Sequence, residues 1–186
     1  MDFDFSEDQK MLQAMARDFL EKECPKTLVR GMEEDAKGYS PDLWRGMAEL
    51  GWMGLALPEK YGGTGYGFVE LTVLLEQMGR ALVPGPFVPT VVYCALPILE
   101  AGAEKQRQEF LPKIVSGKFI LTLALTEPGA SPDACGITME AIADKGEYVI
   151  SGTKLFVPDA HVSDYLLCIT RTQETTKPDE GITLFL

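Results

Sequence analysis

Apolar residues recur at three- and four-residue intervals through the first two thirds of the chain, and at alternate positions after it. Met11, Leu12, Met15 and Phe19 share one face of a helix that starts at Ser6, where Gln9 three residues on completes a capping box. Pro25 ends or bends this helix. Ser40-Pro41 opens another, a cap residue followed by proline in the first turn, with Leu43, Trp44 and Met47 as its apolar side. From Phe68, the positions Leu71, Leu75, Met78 and Leu82 mark an amphipathic helix that Val83-Pro84-Gly85-Pro86 breaks. A proline-bearing apolar helix (Val88 to Leu99) and a charged one (Glu104 to Val115) complete the helical set, the latter distorted by Pro112.

After Ser116-Gly117 the period changes. Phe119 to Leu125 is rich in β-branched and aromatic residues, Ile137 to Ala143 alternates, Asp144 to Glu147 is a turn, and Tyr148 to Ile150 resumes as strand. Thr153 to Val157, Tyr165 to Thr170 and Ile182 to Leu186 predict three more strands. The fold class is α+β: an all-α helical unit over residues 1–118, then a β unit over 119–186. Gly181 to Leu186 stops in mid-strand without a polar closure, which predicts a fragment of a longer protein.

Composition narrows the chemistry. The 186 residues are 46% hydrophobic and 24% charged, which places the chain among globular proteins. The longest apolar run is interrupted by Pro89 and Pro97 and is too short for a membrane span. A net charge of −11 argues against nucleic acid or an anionic membrane as partner, since both require clustered Lys and Arg. A small anionic ligand needs only a local donor cluster. Cys24, Cys94, Cys135 and Cys168 form no CxxC pair and His161 is the one histidine, so no metal site is expected. Reduced thiols and an acidic N-terminus predict a cytoplasmic protein.

The stretch LTEPGASPD, residues 125–133, joins two β segments and carries the candidate chemistry. Thr126 has a hydroxyl and a backbone N–H free for the heteroatoms of a planar ring. Pro128 fixes its backbone and Gly129 permits a reversal, so peptide groups can face a ligand instead of a strand. Asp133 is placed to cap the turn it follows. The same residues suit a plain Pro-Gly corner, and both readings stand on the residues alone.

Three stretches in order, LGWMGLALPEKYGGTG (50–65), the loop LTEPGASPD and ISGTKLFV (150–157), resemble the acyl-CoA dehydrogenase family of flavoproteins over about Phe5 to Leu186. The resemblance implies a helical N-terminal domain, a β-barrel-like middle domain and a C-terminal four-helix domain missing from this sequence. It implies FAD as cofactor and an acyl-CoA substrate, oxidised α,β to the thioester with the β-hydride passing to the flavin. It also implies an electron-transfer flavoprotein as partner and a homo- or heterotetramer. Leu123, Leu125, Thr126, Ser131, Pro132, Phe156, Val157 and Pro158 match flavin-contacting positions, Leu125 and Thr126 at the pyrimidine edge. Ser131, Pro132, Tyr93 and Leu96 match substrate-side positions. The family's catalytic base, a C-terminal carboxylate, has no counterpart here, and Glu127 reads as structural.

Departures from the family pattern accompany the match. Ser131 and Pro132 stand where glycine and serine are usual, Phe156 where tryptophan is, and Pro158 where threonine is. Pro132 and Pro158 offer neither hydroxyl nor N–H. Two alternatives therefore remain beside a dehydrogenase: a non-catalytic or heteromeric subunit, and a flavin-dependent oxidase or hydroxylase of the same fold. His161 reads as a surface or structural residue, with a flavin or substrate contact as the minority reading. The glycines of residues 54–65 do not match a phosphate loop, so that segment reads as packing.

Overall fold

The computed structural model describes residues 4–129, 131 and 133–186. Helix α1 (Glu7–Glu23) opens at the capping box: the Ser6 hydroxyl accepts the Gln9 N–H at 3.2 Å, and the Gln9 side chain accepts the Ser6 N–H at 2.9 Å. Pro25 ends that helix and begins α2 (Lys26–Glu34), which the sequence pattern does not announce because no residue of α2 is fully buried. Helix α3 (Pro41–Glu49) starts as expected, with the Ser40 hydroxyl accepting the Leu43 N–H at 3.3 Å. Helix α4 (Phe68–Ala81) lies along α1, and Ala16, Leu20, Leu71, Leu74 and Met78 meet α3's Trp44 and Met47 in a first core.

The predicted helix over Val88 to Leu99 is two windings. A π-helix spans Val88–Ala95, and α5 (Leu96–Ala101) continues it. The wide winding ends at Ala95, and Pro97 falls in the first turn of α5. Helix α6 (Glu104–Val115) runs unbroken through Pro112, held by buried Phe110, Leu111 and Ile114, so the expected distortion does not interrupt it. No helix among the described residues is long and apolar enough to cross a membrane.

Residues 50–65 form two short 3₁₀ turns, Trp52–Gly54 and Glu59–Tyr61. Leu57 and Tyr61 pack with Cys94, Ile98, Leu111 and Ile114 and with Leu121 and Leu167 in a second core, so the segment is packing, as read. Gly63 sits where a Cβ would collide with the Leu57 carbonyl.

Strands begin at β1 (Leu121–Ala124), which pairs in parallel with β4 (Tyr165–Arg171); β5 (Ile182–Phe185) pairs antiparallel on β4's other side. A separate hairpin joins β2 (Ala141–Asp144) to β3 (Glu147–Ile150) through Lys145 and Gly146, both at positive φ. Two strand predictions need correction. Thr153 to Val157 is not a strand: Leu155 gives its N–H to the Thr126 carbonyl at 2.7 Å, and Phe156 turns left-handed at φ 52°. Ile137 to Met139 is likewise outside the ladder, because the Thr138 and Met139 N–H groups bond to the Glu127 carboxylate instead.

Candidate functional site

Beyond the C-terminal end of β1 the chain turns into the loop 125–133. Leu125, Thr126, Ser131, Asp133, Ala134 and Ile137 line a cleft of about 360 Å³, with Ile169 of β4 and Ile182 of β5 adding apolar surface. The Thr126 N–H and hydroxyl have no hydrogen-bond partner among the described residues. The cleft thus offers apolar walls and a free donor pair at one edge, which suits a planar heteroaromatic ring with acceptors along one side.

The loop is held from behind. Glu127 is buried, and its carboxylate accepts the Thr138 N–H at 2.9 Å, the Thr138 hydroxyl at 2.6 Å and the Met139 N–H at 3.1 Å. Lys154 Nζ lies 2.8 Å from Glu127 Oε1 and donates to the Leu125 carbonyl at 3.0 Å, with both side chains about 95% enclosed. Burial alone would raise the Glu127 pKa, but the bonds from Lys154, Thr138 and Met139 outweigh it and hold the carboxyl at about 2. This agrees with a structural reading of Glu127.

Across the cleft, the Arg171 guanidinium donates to four carbonyls: Ile137 at 2.9 Å, Ala134 at 3.1 Å, Pro178 at 3.0 Å and Glu180 at 2.8 Å. It ties the cleft-lining turn Ala134–Gly136 to the segment before β5. Nothing in the sequence marks Arg171 for this task, since an arginine at a strand end reads as solvated. Asp133 precedes that turn without a side-chain cap bond to it, and the Ser131 hydroxyl accepts the Asp133 N–H at 3.4 Å; the turn that Asp133 follows runs through residues 130 and 132, outside the described residues.

The expected site residues divide. Leu125, Thr126 and Ser131 converge on the cleft. Phe156, Val157 and Pro158 do not line it, although their strip is tied to the loop's approach: Leu155 bonds Thr126, and Thr122 of β1 donates its hydroxyl to the Pro158 carbonyl at 2.6 Å. Phe156 is 89% exposed. Leu123 is half-buried against the second core, and Leu96 packs against both cores. Tyr93 is exposed on the π-helix. Pro132 lies outside the described residues. His161 is exposed, with Nε2 3.2 Å from the Lys37 carbonyl, consistent with a surface residue.

The four cysteines are unpaired. Burial pushes the Cys94 thiol up to about 12 despite a backbone bond from Leu167. Cys135 is exposed beside the cleft, its sulfur 3.4 Å from the Ser131 hydroxyl.

The profile of the acyl-CoA dehydrogenase N-terminal domain matches residues 6–118, and that of the acyl-CoA dehydrogenase middle domain matches residues 122–186. The chain is 32% identical over 184 residues to the caffeyl-CoA reductase-Etf complex subunit CarC of Acetobacterium woodii, an alignment covering 98% of this chain and 48% of that protein. It superimposes on butyryl-CoA dehydrogenase from Megasphaera elsdenii with a TM-score of 0.82 and 32% identity, covering 100% of this chain and 49% of the other. It superimposes on the ChsE4-ChsE5 complex of Mycobacterium tuberculosis with a TM-score of 0.85 and 26% identity, covering 100% and 48%. The chain therefore spans about half the length of the relatives it matches.

Proposed function

Since the chain belongs to the acyl-CoA dehydrogenase family, we propose that it supplies the FAD-facing half of an enzyme that dehydrogenates an acyl-CoA thioester. The observation that carries this reading is the free Thr126 N–H and hydroxyl at the edge of the cleft beyond β1. When bound there, FAD supplies the acceptor for the substrate's β-hydride. Residues 1–118 and 119–186 are taken as its helical and middle domains.

Each residue's part follows from what it presents. The Thr126 N–H and hydroxyl face the ring's polar edge beside Leu125, and fixed donors at that edge favour the negative charge that reduction brings. Ile137, Ile169 and Ile182 exclude water from the cleft wall. Ser131 offers a hydroxyl at the rim. The exposed ring of Phe156 is assigned to the flavin, and that of Tyr93 to the acyl chain. The base that removes the α-proton is placed outside this chain. Glu127 is unsuited to it: fully bonded and ionised down to about pH 2, it has no affinity left for a proton near neutrality. An electron-transfer flavoprotein is the proposed electron acceptor, in keeping with the Etf complex named for the A. woodii relative.

A second reading, a subunit of a heteromeric assembly with a remodelled flavin contact, is favoured by Pro158, which presents no donor where the family pattern has threonine. The likeness to the two-component M. tuberculosis complex points the same way. Absorption spectroscopy of the purified protein carrying this chain separates them. Visible flavin bands that bleach on adding an acyl-CoA support the dehydrogenase. A colourless protein that leaves FAD fluorescence unquenched overturns it and favours the second reading.

A further inference from the structure

The lysine–glutamate pair behind the loop does more than fill a polar gap. A buried ion pair contributes little net stability over an apolar filling of the same shape, so its geometry is the informative part. Lys154 spends its ammonium on two acceptors, the Glu127 carboxylate at 2.8 Å and the backbone carbonyl of Leu125 at 3.0 Å. None of the described peptide bonds is cis, and in a trans peptide the C=O and the following N–H point to opposite sides. Holding the Leu125 carbonyl toward Lys154 therefore turns the Thr126 N–H away from it, and Thr126 lines the cleft. The next peptide is fixed from the same strip, because the Leu155 N–H holds the Thr126 carbonyl at 2.7 Å. Glu127 in turn fixes where the ammonium sits, being tied by Thr138 and Met139 to a different segment.

We infer that Lys154 is a positioning residue: by pinning the Leu125 carbonyl, it aims the Thr126 N–H at the polar edge of the ring bound in the cleft. This rests on the flavin reading above. It also accounts for an apparent contradiction in the strip 154–158, which lies outside the cleft and yet is bonded to the loop. The strip acts through the loop's backbone, and Lys154 is the residue that transmits it.

Lys154→Met alone would strand the buried Glu127 carboxylate, so the test uses the double variant Lys154→Met/Glu127→Gln, which removes both charges together. It is compared with the wild-type protein carrying this chain by FAD titration, by the reduction potential of the bound flavin, and by NMR exchange of the Leu155 amide without FAD. A mis-aimed donor should weaken FAD binding by about tenfold, the scale of one lost hydrogen bond to ligand. The potential should fall, because reduced flavin loses a donor to its negative charge, and Leu155 should lose exchange protection. A folded double variant with wild-type affinity, potential and Leu155 protection would overturn the inference. If the wild-type protein itself takes up no FAD, the functional reading falls and the amide decides alone: lost Leu155 protection sustains Lys154 as the residue that sets the loop, and unchanged protection overturns that too.

Discussion

Glu127 shows how a buried charge can be settled by its neighbours. Its ordinary pKa of 4.5 falls to about 2 on folding, since bonds from Lys154, Thr138 and Met139 outweigh desolvation. A carboxyl with a depressed folded pKa stabilises fully above its unfolded value, and that stabilisation is lost as pH falls through the folded one. The shift is equivalent to about 3 kcal/mol at neutral pH. Thermal melts of wild type and Glu127→Gln should therefore differ most above about pH 5, with the wild type higher, and converge as pH drops from 4.5 toward 2. A constant gap across that window would mean that the carboxylate's ionisation is not what the loop depends on. The sequence identified Glu127 as structural by its place in the motif. It did not reveal the partners, which come from positions 138, 139 and 154 and meet only when the segments fold together.

Among the elements, legibility follows how each one is stabilised. Helices α1, α3 and α4 were readable because cap residues and apolar periodicity agree in each. Helix α2 escaped because it buries no residue fully, and its start is a bare proline. Thr153 to Val157 has the composition of a strand, but its Leu155 N–H is claimed by the loop and the chain turns left-handed at Phe156, and composition carries no record of that. Likewise, the loop 125–133 disclosed Thr126 as a donor, whereas Arg171, which ties down the opposite wall, gave no local signal. The segment 50–65 tests the packing reading directly. A Cβ on Gly63 would overlap the Leu57 carbonyl, whereas one on Gly31 in α2 meets nothing within 4 Å. Gly63→Ala should destabilise by about 1–3 kcal/mol through overpacking. Gly31→Ala should stabilise by up to about 1 kcal/mol through helix propensity. Chemical denaturation measures both, and equal effects of one sign would refute this account of the segment.

The helical and β parts are joined by more than chain continuity. Leu121 of β1 and Leu167 of β4 share the second core with Leu57, Tyr61, Ile98 and Leu111, so neither part can expose that face alone without losing its apolar burial. A polar fastening adds to it. β1 is an edge strand, with β4 on one side only, and an edge leaves backbone groups to be satisfied. Thr90 of the π-helix provides the partner: its hydroxyl donates to the Leu121 carbonyl at 2.9 Å and accepts the Leu121 N–H at 3.1 Å, with both residues fully enclosed. One hydroxyl stands in for a missing strand, and it holds the first residue of the strand that carries the loop and cleft. Thr90→Val keeps the shape and removes the hydroxyl, leaving two buried backbone groups unpaired at a cost of about 2–4 kcal/mol. The expected result is a lower melting temperature, with amide exchange at Leu121 and along β1 accelerated more than in α1 or α4. If the variant melts with the wild type and β1 keeps its protection, the helix–strand junction is held by apolar packing alone, and the cleft's placement against the helical part owes nothing to Thr90.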